Sequence, residues 1–493
     1  MKLTELLSVL PFYHVSEAIE GIDIKKIEAD SRQVTDGSLF ICIEGFTVDG
    51  HDFVEQAVSN GATAILAQKE VQASVPVIRL TDTSREMAKL ASKFYGYPTR
   101  QFPLIGVTGT NGKTTVTYLL ASIFNQFEKK TGIIGTIQMK IGEDAYPVHN
   151  TTPDALFLQK TFQEMNREHV DTAIMEVSSH ALDMGRVHGC DFDIAVFTNL
   201  SQDHLDYHQD MNDYLHAKSL LFAQLGNTYH EKQKKFAVIN EDDPNSRFLK
   251  KSTAQHVMTY GCDHEAQIRA EDIHMEVTKT AFTMHTPVGS VQINSSLIGK
   301  FNVYNMLAAS AAAICAGIPL TVIKDALDNM SGVNGRFQPV DGSRGFAAVV
   351  DYAHTPDSLE NVLQTIKGFA ENHVYVVVGC GGDRDKTKRP LMASIALKYA
   401  DQAILTSDNP RTENPMAILD DMTAGLQDRN YLVIENRREA IFHAINLAEK
   451  GDIILIAGKG HETYQEIGHT RHHFDDREVA QEAIQERDVK ENR

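Results

Sequence analysis

The stretch Gly109-Thr110-Asn111-Gly112-Lys113-Thr114-Thr115 holds the residue types best suited to phosphate chemistry. Gly109 and Gly112 let backbone N–H groups approach phosphate oxygens, and a helix starting at the Lys-Thr pair adds its partial positive charge. Lys113 can neutralise outer phosphates, and the Thr114 hydroxyl can ligate magnesium. The strict pattern G-x-x-x-x-G-K-[ST] fails, because Val107 stands where its first glycine belongs. A helix start without a ligand is the plain alternative for so short a motif. The context argues against it: Pro103-Leu104-Ile105-Gly106-Val107 reads as a buried strand, and Val116 to Phe127 as a helix. Strand, glycine turn, Lys-Thr and helix together predict a cradle for a nucleoside triphosphate, ATP.

Glu176-Val177-Ser178-Ser179-His180 ends a strand pattern expected beside that loop. Glu176 is placed as a second magnesium ligand, as acids at such strand ends are; a carboxylate capping the next helix is the alternative. The loop Thr198 to His208 crowds Asp203, His204, Asp206 and His208 together after another strand. A full tetrahedral zinc set is not evident, so the loop reads as magnesium-proximal. Lys218 lies in His216-Ala217-Lys218-Ser219-Leu220-Leu221-Phe222, which reads as part of an amphipathic helix. By residue type it is a solvated lysine. A buried, neutral lysine has another option, reaction with CO₂ to a carbamate, an anion fit for magnesium.

Several domains must carry these groups, since 493 residues exceed one domain of ~100–200 residues. A first block, 1–98, mixes short strands (Phe40 to Ile43, Ala64 to Leu66) with short helices such as Phe53 to Ser59, and ends in the linker Tyr97 to Pro103. A second, 99–335, alternates strands (Thr131 to Ile137, Thr172 to Val177, Ile194 to Thr198, Phe236 to Asn240) with helices, as a parallel sheet does. The third, 336–493, repeats the alternation with the apolar runs Ala347 to Val350, Val374 to Val378, Gln402 to Leu405 and Asp452 to Ile456. A polar or glycine-rich loop follows each run, where ligands of open α/β sheets bind. The expected fold class is therefore α/β in three domains. A mostly parallel P-loop-type sheet lies in the centre and a Rossmann-like domain at the C-terminus. The charged tail Asp476 to Arg493 reads as a surface helix.

The balance of 47 basic and 66 acidic residues, net −19, argues against a nucleic-acid partner, which needs a basic face. Five scattered cysteines suggest reduced thiols in a cytoplasmic protein, with neither a disulfide frame nor a zinc site. Met306 to Ile323 carries no charge, but Gly317 and Pro319 break it, so a buried helix with a glycine cap is expected and no membrane partner. The stretch His469 to His473 reads as a polar turn.

Thr108 to Thr115, Glu176 to His180, Gly299-Lys300-Phe301-Asn302-Val303-Tyr304-Asn305 and Asp351-Tyr352-Ala353-His354 occur in the order found in the Mur ligases, which the chain resembles over essentially its whole length. The motifs Gly381-Gly382-Asp383-Arg384-Asp385, Asp408-Asn409-Pro410-Arg411 and Gly458-Lys459-Gly460-His461-Glu462 are similar to those of members that add the third residue of the stem peptide. These are ATP-dependent amide-forming ligases of peptidoglycan precursor synthesis. The resemblance thus implies ATP and Mg2+, an acyl phosphate attacked by an amine, and UDP-N-acetylmuramoyl-L-alanyl-D-glutamate as substrate, in a protein expected to be monomeric.

Residue by residue, the resemblance implies that Thr108, Gly109, Thr110, Asn111, Gly112, Lys113 and Thr114 hold the ATP phosphates, with Thr114 and Glu176 near magnesium. His204 resembles the ligand of a second magnesium, and Lys218 aligns with a lysine that the family carbamylates, which reverses the solvated reading. Asn302, Arg336 and Asp351 match nucleotide contacts. Ser31 resembles a first-domain contact to the UDP moiety, and Thr151, Thr152, Ser178 and Arg186 match contacts to the muramoyl-dipeptide. The family's Gln two residues before that Arg is Met184 here, a departure that bears on one polar contact. Lys113, Lys218 and His204 are the expected catalytic groups; no general base is assigned, His204 and His354 being candidates by type.

Members using meso-diaminopimelate tend to carry Asp408-Asn409-Pro410-Arg411 as it stands here, and those using L-lysine tend to lack the Arg. A guanidinium fork pairs with a carboxylate that lysine does not have. A surface salt bridge is the alternative use of Arg411. Arg384, Gly458 and Glu462 complete the matching set, Glu462 holding the distal ammonium. The same reaction with L-lysine, a folylpolyglutamate-synthetase-like ligase and a nucleotide switch without ligation are the competing readings.

Overall fold

A computed structural model describes every residue except 46–47, 149, 230–233, 277–278, 341–344, 427–429 and 492–493. Its strands form three large sheets in chain order, with helices packed on them. The first has five strands, in spatial order His14–Val15, Val77–Arg79, Ala62–Ala67, Ser38–Ile41, Lys26–Glu28, and only the first of these runs antiparallel to its neighbour.

The central sheet has 11 strands. Its middle is parallel: His256–Gly261, Phe236–Asn240, Ile194–Phe197, Leu104–Thr108, Thr172–Glu176 and Thr131–Ile134 lie side by side. These strands are apolar along their length because helices cover both faces. On one face Leu119, Leu120 and Ile123 of helix Lys113–Gln126 meet Met306, Leu307 and Ala311 of helix Lys300–Cys315; on the other Leu158, Phe162, Phe192 and Phe222 close a second core. Each fully buried Leu or Phe side chain contributes about 1.5–3 kcal/mol.

The sheet is mostly parallel, as the sequence suggested. Ile268–Met275 joins it in parallel to His256–Gly261, and antiparallel pairing then adds Thr280–Thr286 and Gly289–Ser295 at that edge and Met139–Ile141 with Asp144–Tyr146 at the other. Their burial alternates along Thr280–Thr286, so they lack the continuous apolar runs that mark a doubly covered strand. The strand expected over Thr131 to Ile137 stops at Ile134, because Thr136 turns to give its backbone N–H and hydroxyl to Glu176.

The third sheet has six strands, ordered Gln338–Pro339, Ala347–Asp351, Ile453–Ala457, Val374–Val378, Gln402–Leu405, Tyr431–Val433, all parallel after the first pair. Asp452 stays outside its strand and accepts from the N–H groups of His373 and Glu449. His469 to His473 is more than a turn: Thr470–His473 pairs with Tyr464–Ile467 as a two-stranded hairpin. The uncharged run Met306 to Ile323 is shared between helices Lys300–Cys315 and Leu320–Asn329, with Gly317 between them at φ +82°. Among the described residues no helix is long and apolar enough to cross a membrane. The tail forms helix Asp476–Glu491, and its last two residues lie outside the described residues.

Candidate active site

The carboxyl ends of the central strands meet in register: Glu176 pairs with Val107, and Phe197 with Thr108. The loop after Thr108 therefore sits between the loops that begin at Val177 and Thr198. Gly109 adopts φ +145°, and a Cβ there would lie 1.9 Å from the Thr198 hydroxyl, so only glycine fits. Thr108 is fully buried. Thr110 passes its N–H to the Asn199 carbonyl at 2.8 Å, and Asn111 passes its own to the Asn199 side chain at 2.9 Å. Helix Lys113–Gln126 then opens directly behind Gly112. Lys113 folds back over the loop, its Nζ donating to the carbonyls of Gly109 (2.9 Å) and Thr110 (2.7 Å). Enclosure pulls its ammonium below the usual lysine range, against the attraction of Glu176 and Asp203.

Glu176 is 1% exposed. Its carboxylate is held by neutral donors: the Thr114 hydroxyl at 3.0 Å, the Thr136 N–H at 2.8 Å and the Thr136 hydroxyl at 3.0 Å. A buried carboxylate met only by hydroxyl and amide donors is a poor structural element and a good seat for a cation. The expected pairing of Thr114 with Glu176 is thus in place, and the two fit a magnesium ion.

Lys218 overturns its reading by residue type. Helix Met211–Ala223 is buried round most of its circumference, not amphipathic, and Lys218 is 1% exposed. Its Nζ donates to the Gly109 carbonyl at 2.8 Å and lies 4.3 Å from the centre of the Tyr214 ring. Burial pushes this ammonium well below the usual lysine range, and the charge of Lys113 acts in the same sense. Burial thus favours the uncharged amine, the form that reacts with CO₂.

His204 lies beside it, at φ +57° in the left-handed region, edge-on to His180 at 4.8 Å. Desolvation takes His204 down to about 3 and His180 to about 4, so both rings are neutral ligands or acceptors near pH 7. Asp203 is buried between domains. Burial opposes its ionisation, yet His204, Lys388 and His354 hold its carboxyl below the usual range. Lys388 Nζ, at the start of helix Lys388–Tyr399, is 3.8 Å away, and His354 Nε2, in the loop after Ala347–Asp351, 3.9 Å.

From the far side, Arg336 gives Nη2 to the Thr114 hydroxyl at 3.1 Å and stacks on Tyr352 at 4.4 Å. Asp351 accepts the Phe337 N–H, and burial raises its carboxyl to about 6 in spite of Arg336. Asn302 is buried, its amide spent on the Ile298 carbonyl and its oxygen on Asn305. Thr152 accepts the Ser178 N–H, and its carbonyl accepts from Arg186 at 3.1 Å. Where Met184 replaces the expected polar residue, its sulfur lies 3.2 Å from Arg186 Nη2. Thr151 joins the Thr136 hydroxyl at 3.1 Å.

Most of these groups share one cavity of about 780 Å³, lined by Lys113, Glu176, Lys218, Arg186, Arg336 and Arg384 among others; Thr108, Gly109, Met184, Asn302 and Lys388 are not among its lining residues. Ser31 is not among its lining residues; its hydroxyl donates to Gln56 within the first domain. Asp408, Asn409, Pro410, Arg411, Gly458 and Glu462 form a separate cluster on the third sheet. Asn409 donates to Glu462 at 2.8 Å, and a Cβ on Gly458 would meet Asp408 at 2.6 Å. Burial, then Asp408, raises the Glu462 carboxyl. Arg411, at φ +49°, gives Nη1 to the Gly382 carbonyl at 2.8 Å and stands 3.7 Å from Glu466.

Asp357 went unread in the sequence. It accepts from Asn111 at 2.8 Å and from Ser201 at 3.2 Å, joining the third domain to the phosphate loop. Its only local signal is an acid in the first turn of helix Pro356–Lys367, which explains itself as a dipole partner. Tyr214, the ring under Lys218, was likewise an ordinary apolar position.

An α/β protein with a phosphate cradle, a buried acid and a buried lysine facing a third-domain wall is a nucleotide-using enzyme in form. Three family models match in order: "Mur ligase family, catalytic domain" over 23–95, "Mur ligase middle domain" over 107–313, and "Mur ligase, glutamate ligase domain" over 335–460. The chain belongs to the Mur ligase family. It is 62% identical over 491 residues to the UDP-N-acetylmuramoyl-L-alanyl-D-glutamate–2,6-diaminopimelate ligase of Oceanobacillus iheyensis, spanning 99% of this chain and 100% of that one. To the ligase of the same name from Listeria monocytogenes it is 52% identical over 488 residues, 99% of each. A solved structure of a ligase so named matches with a TM-score of 0.70 and 36% identity, over 98% of this chain and 99% of that.

Proposed function

We infer that the protein joins meso-diaminopimelate to UDP-N-acetylmuramoyl-L-alanyl-D-glutamate with ATP as co-substrate, the step named in its relatives. The observation that carries this reading is the shared cavity. It sets the phosphate loop, Glu176 and Lys218 against Arg186, Ser178 and Thr152 on one side and Arg336, Asp351 and Arg384 on the other. Joining a carboxylate to an amine in water requires the carboxylate to be activated, and two anions must then approach each other. Lys113 supplies positive charge at the phosphates, and Arg186 does so for the acidic substrate. Thr114, Glu176, His204 and a carbamylated Lys218 would hold magnesium, which when bound neutralises charge on the phosphates. Asn302, Arg336 and Asp351 hold the nucleotide from the opposite wall, and Ser31 holds the UDP moiety from the first domain. The three domains correspond to 1–98, 99–335 and 336–493, and their closure excludes water from the activated carboxylate.

The amine is read in the third domain. Arg384 and Arg411 take the distal carboxylate of diaminopimelate, Glu462 its ammonium, and Asp408, Asn409, Pro410 and Gly458 shape the pocket. Phosphate release from ATP with UDP-N-acetylmuramoyl-L-alanyl-D-glutamate is the direct test. It should require meso-diaminopimelate and fail with L-lysine. A preference for lysine keeps the ligase and discards the specificity; no release with either amine discards the substrate assignment. Arg411→Ala should raise the KM for diaminopimelate about tenfold or more, since a charged hydrogen bond is worth ~1.5–3 kcal/mol. An equal loss in the KM for ATP would show that Arg411 does not select the amine.

A further inference from the structure

The third-domain pocket poses a geometric problem. Its two main loops follow the strands Gln402–Leu405 and Ile453–Ala457, which are not neighbours, because Val374–Val378 lies between them. Residues 408–411 and 458–462 must therefore be tied together across the end of an intervening strand. Backbone bonds link Arg411 to Glu466 and Gly468 further along the second loop, with the Arg411 N–H on the Glu466 carbonyl at 3.0 Å, and side chains join Asn409 to residues 459–462. Lys459 is completely buried, and its Nζ lies 3.2 Å from Asn409 Oδ1 and 3.2 Å from Glu462 Oε2. The same Asn409 oxygen accepts the Glu466 N–H at 2.8 Å, and the Asn409 amide closes the triangle on Glu462. One ammonium thus fixes both faces of the pocket.

The charges point the same way. Asp408 is 8% exposed, and Glu462 is mostly enclosed. The other buried cation close by, Arg437, is already committed to Asp476, with Nε at 2.8 Å and Nη2 at 2.7 Å. Lys459 sets its positive charge on Glu462, while Arg411 stands 3.7 Å from Glu466.

We propose that Lys459 is a positioning residue: a buried ammonium that clamps Asn409 to Glu462 and so presets the pocket for the incoming diamino acid. The proposal rests on the reading of this pocket given above. Lys459 does not reach the cavity that holds the phosphate loop, so its loss acts on the amine alone. K459M keeps the stem's volume and removes the charge. It should raise the KM for diaminopimelate about tenfold or more, with kcat and the KM for ATP within about twofold of wild type, the pattern of lost ground-state binding. K459Q, which retains a donor for both partners, should recover most of that loss and serves in place of K459M if the latter does not fold. An unchanged amine KM in both variants overturns the clamp, as does a parallel rise in the KM for ATP. The wild-type control separates the two levels: if wild type does not turn over diaminopimelate, the reading of the pocket itself is lost.

Discussion

Lys113→Ala is expected to abolish measurable turnover, a loss of about a thousandfold or more, in line with removal of a preorganised charge from a phosphate site. The structure explains why one side chain carries so much. The ammonium is parked on the carbonyls of Gly109 and Thr110, over the loop where phosphate oxygens would enter. Its exchange from two carbonyls to phosphate needs only a small movement. No neighbouring cation can substitute, because Lys218 is bonded to the Gly109 carbonyl in a site that disfavours its charge, and Arg336 is engaged with Thr114 and Tyr352. Steady-state phosphate release, with thermal unfolding as a folding control, measures the effect. Activity within tenfold of wild type in a folded variant would sink the phosphate-cradle assignment.

Lys218→Ala should cost about a hundredfold to a thousandfold in kcat, because it removes the anion expected to hold metal beside the phosphates. Burial favours the uncharged amine of Lys218, the form that carbamylates reversibly, so the wild type should also depend on dissolved CO₂. In buffer stripped of CO₂ its turnover should fall, and added bicarbonate should restore it. Lys218→Ala should show no response to bicarbonate at all. Wild-type turnover indifferent to CO₂, with Lys218→Ala still impaired, would leave Lys218 as an uncarbamylated contact to Gly109.

What the sequence disclosed follows from how local each signal is. The phosphate loop was legible because its glycines, lysine and flanking strand and helix are contiguous. So were the third-domain strands, whose runs such as Val374–Val378 are apolar on both faces. The antiparallel edges were not, since Thr280–Thr286 has one covered face and its polar residues break the run. Lys218 was misread on residue type for a related reason. What buries it is Tyr214 one turn before it and Gly109 in the phosphate loop, and only the fold brings that loop near. Asp357 was invisible, because its partner Asn111 is 246 residues away.

The Gly109 carbonyl accepts from both Lys113 and Lys218. Two ammonium groups converging on one oxygen in a buried site cannot both be cheaply charged, so their ionisation is thermodynamically linked. A phosphate that fixes positive charge on Lys113 raises the cost of protonating Lys218. By reciprocity, converting Lys218 to an anion tightens phosphate binding at Lys113 by the same factor that phosphate favours the conversion. A carbamylated Lys218 and the nucleotide are therefore expected to act as mutual effectors through a single backbone oxygen.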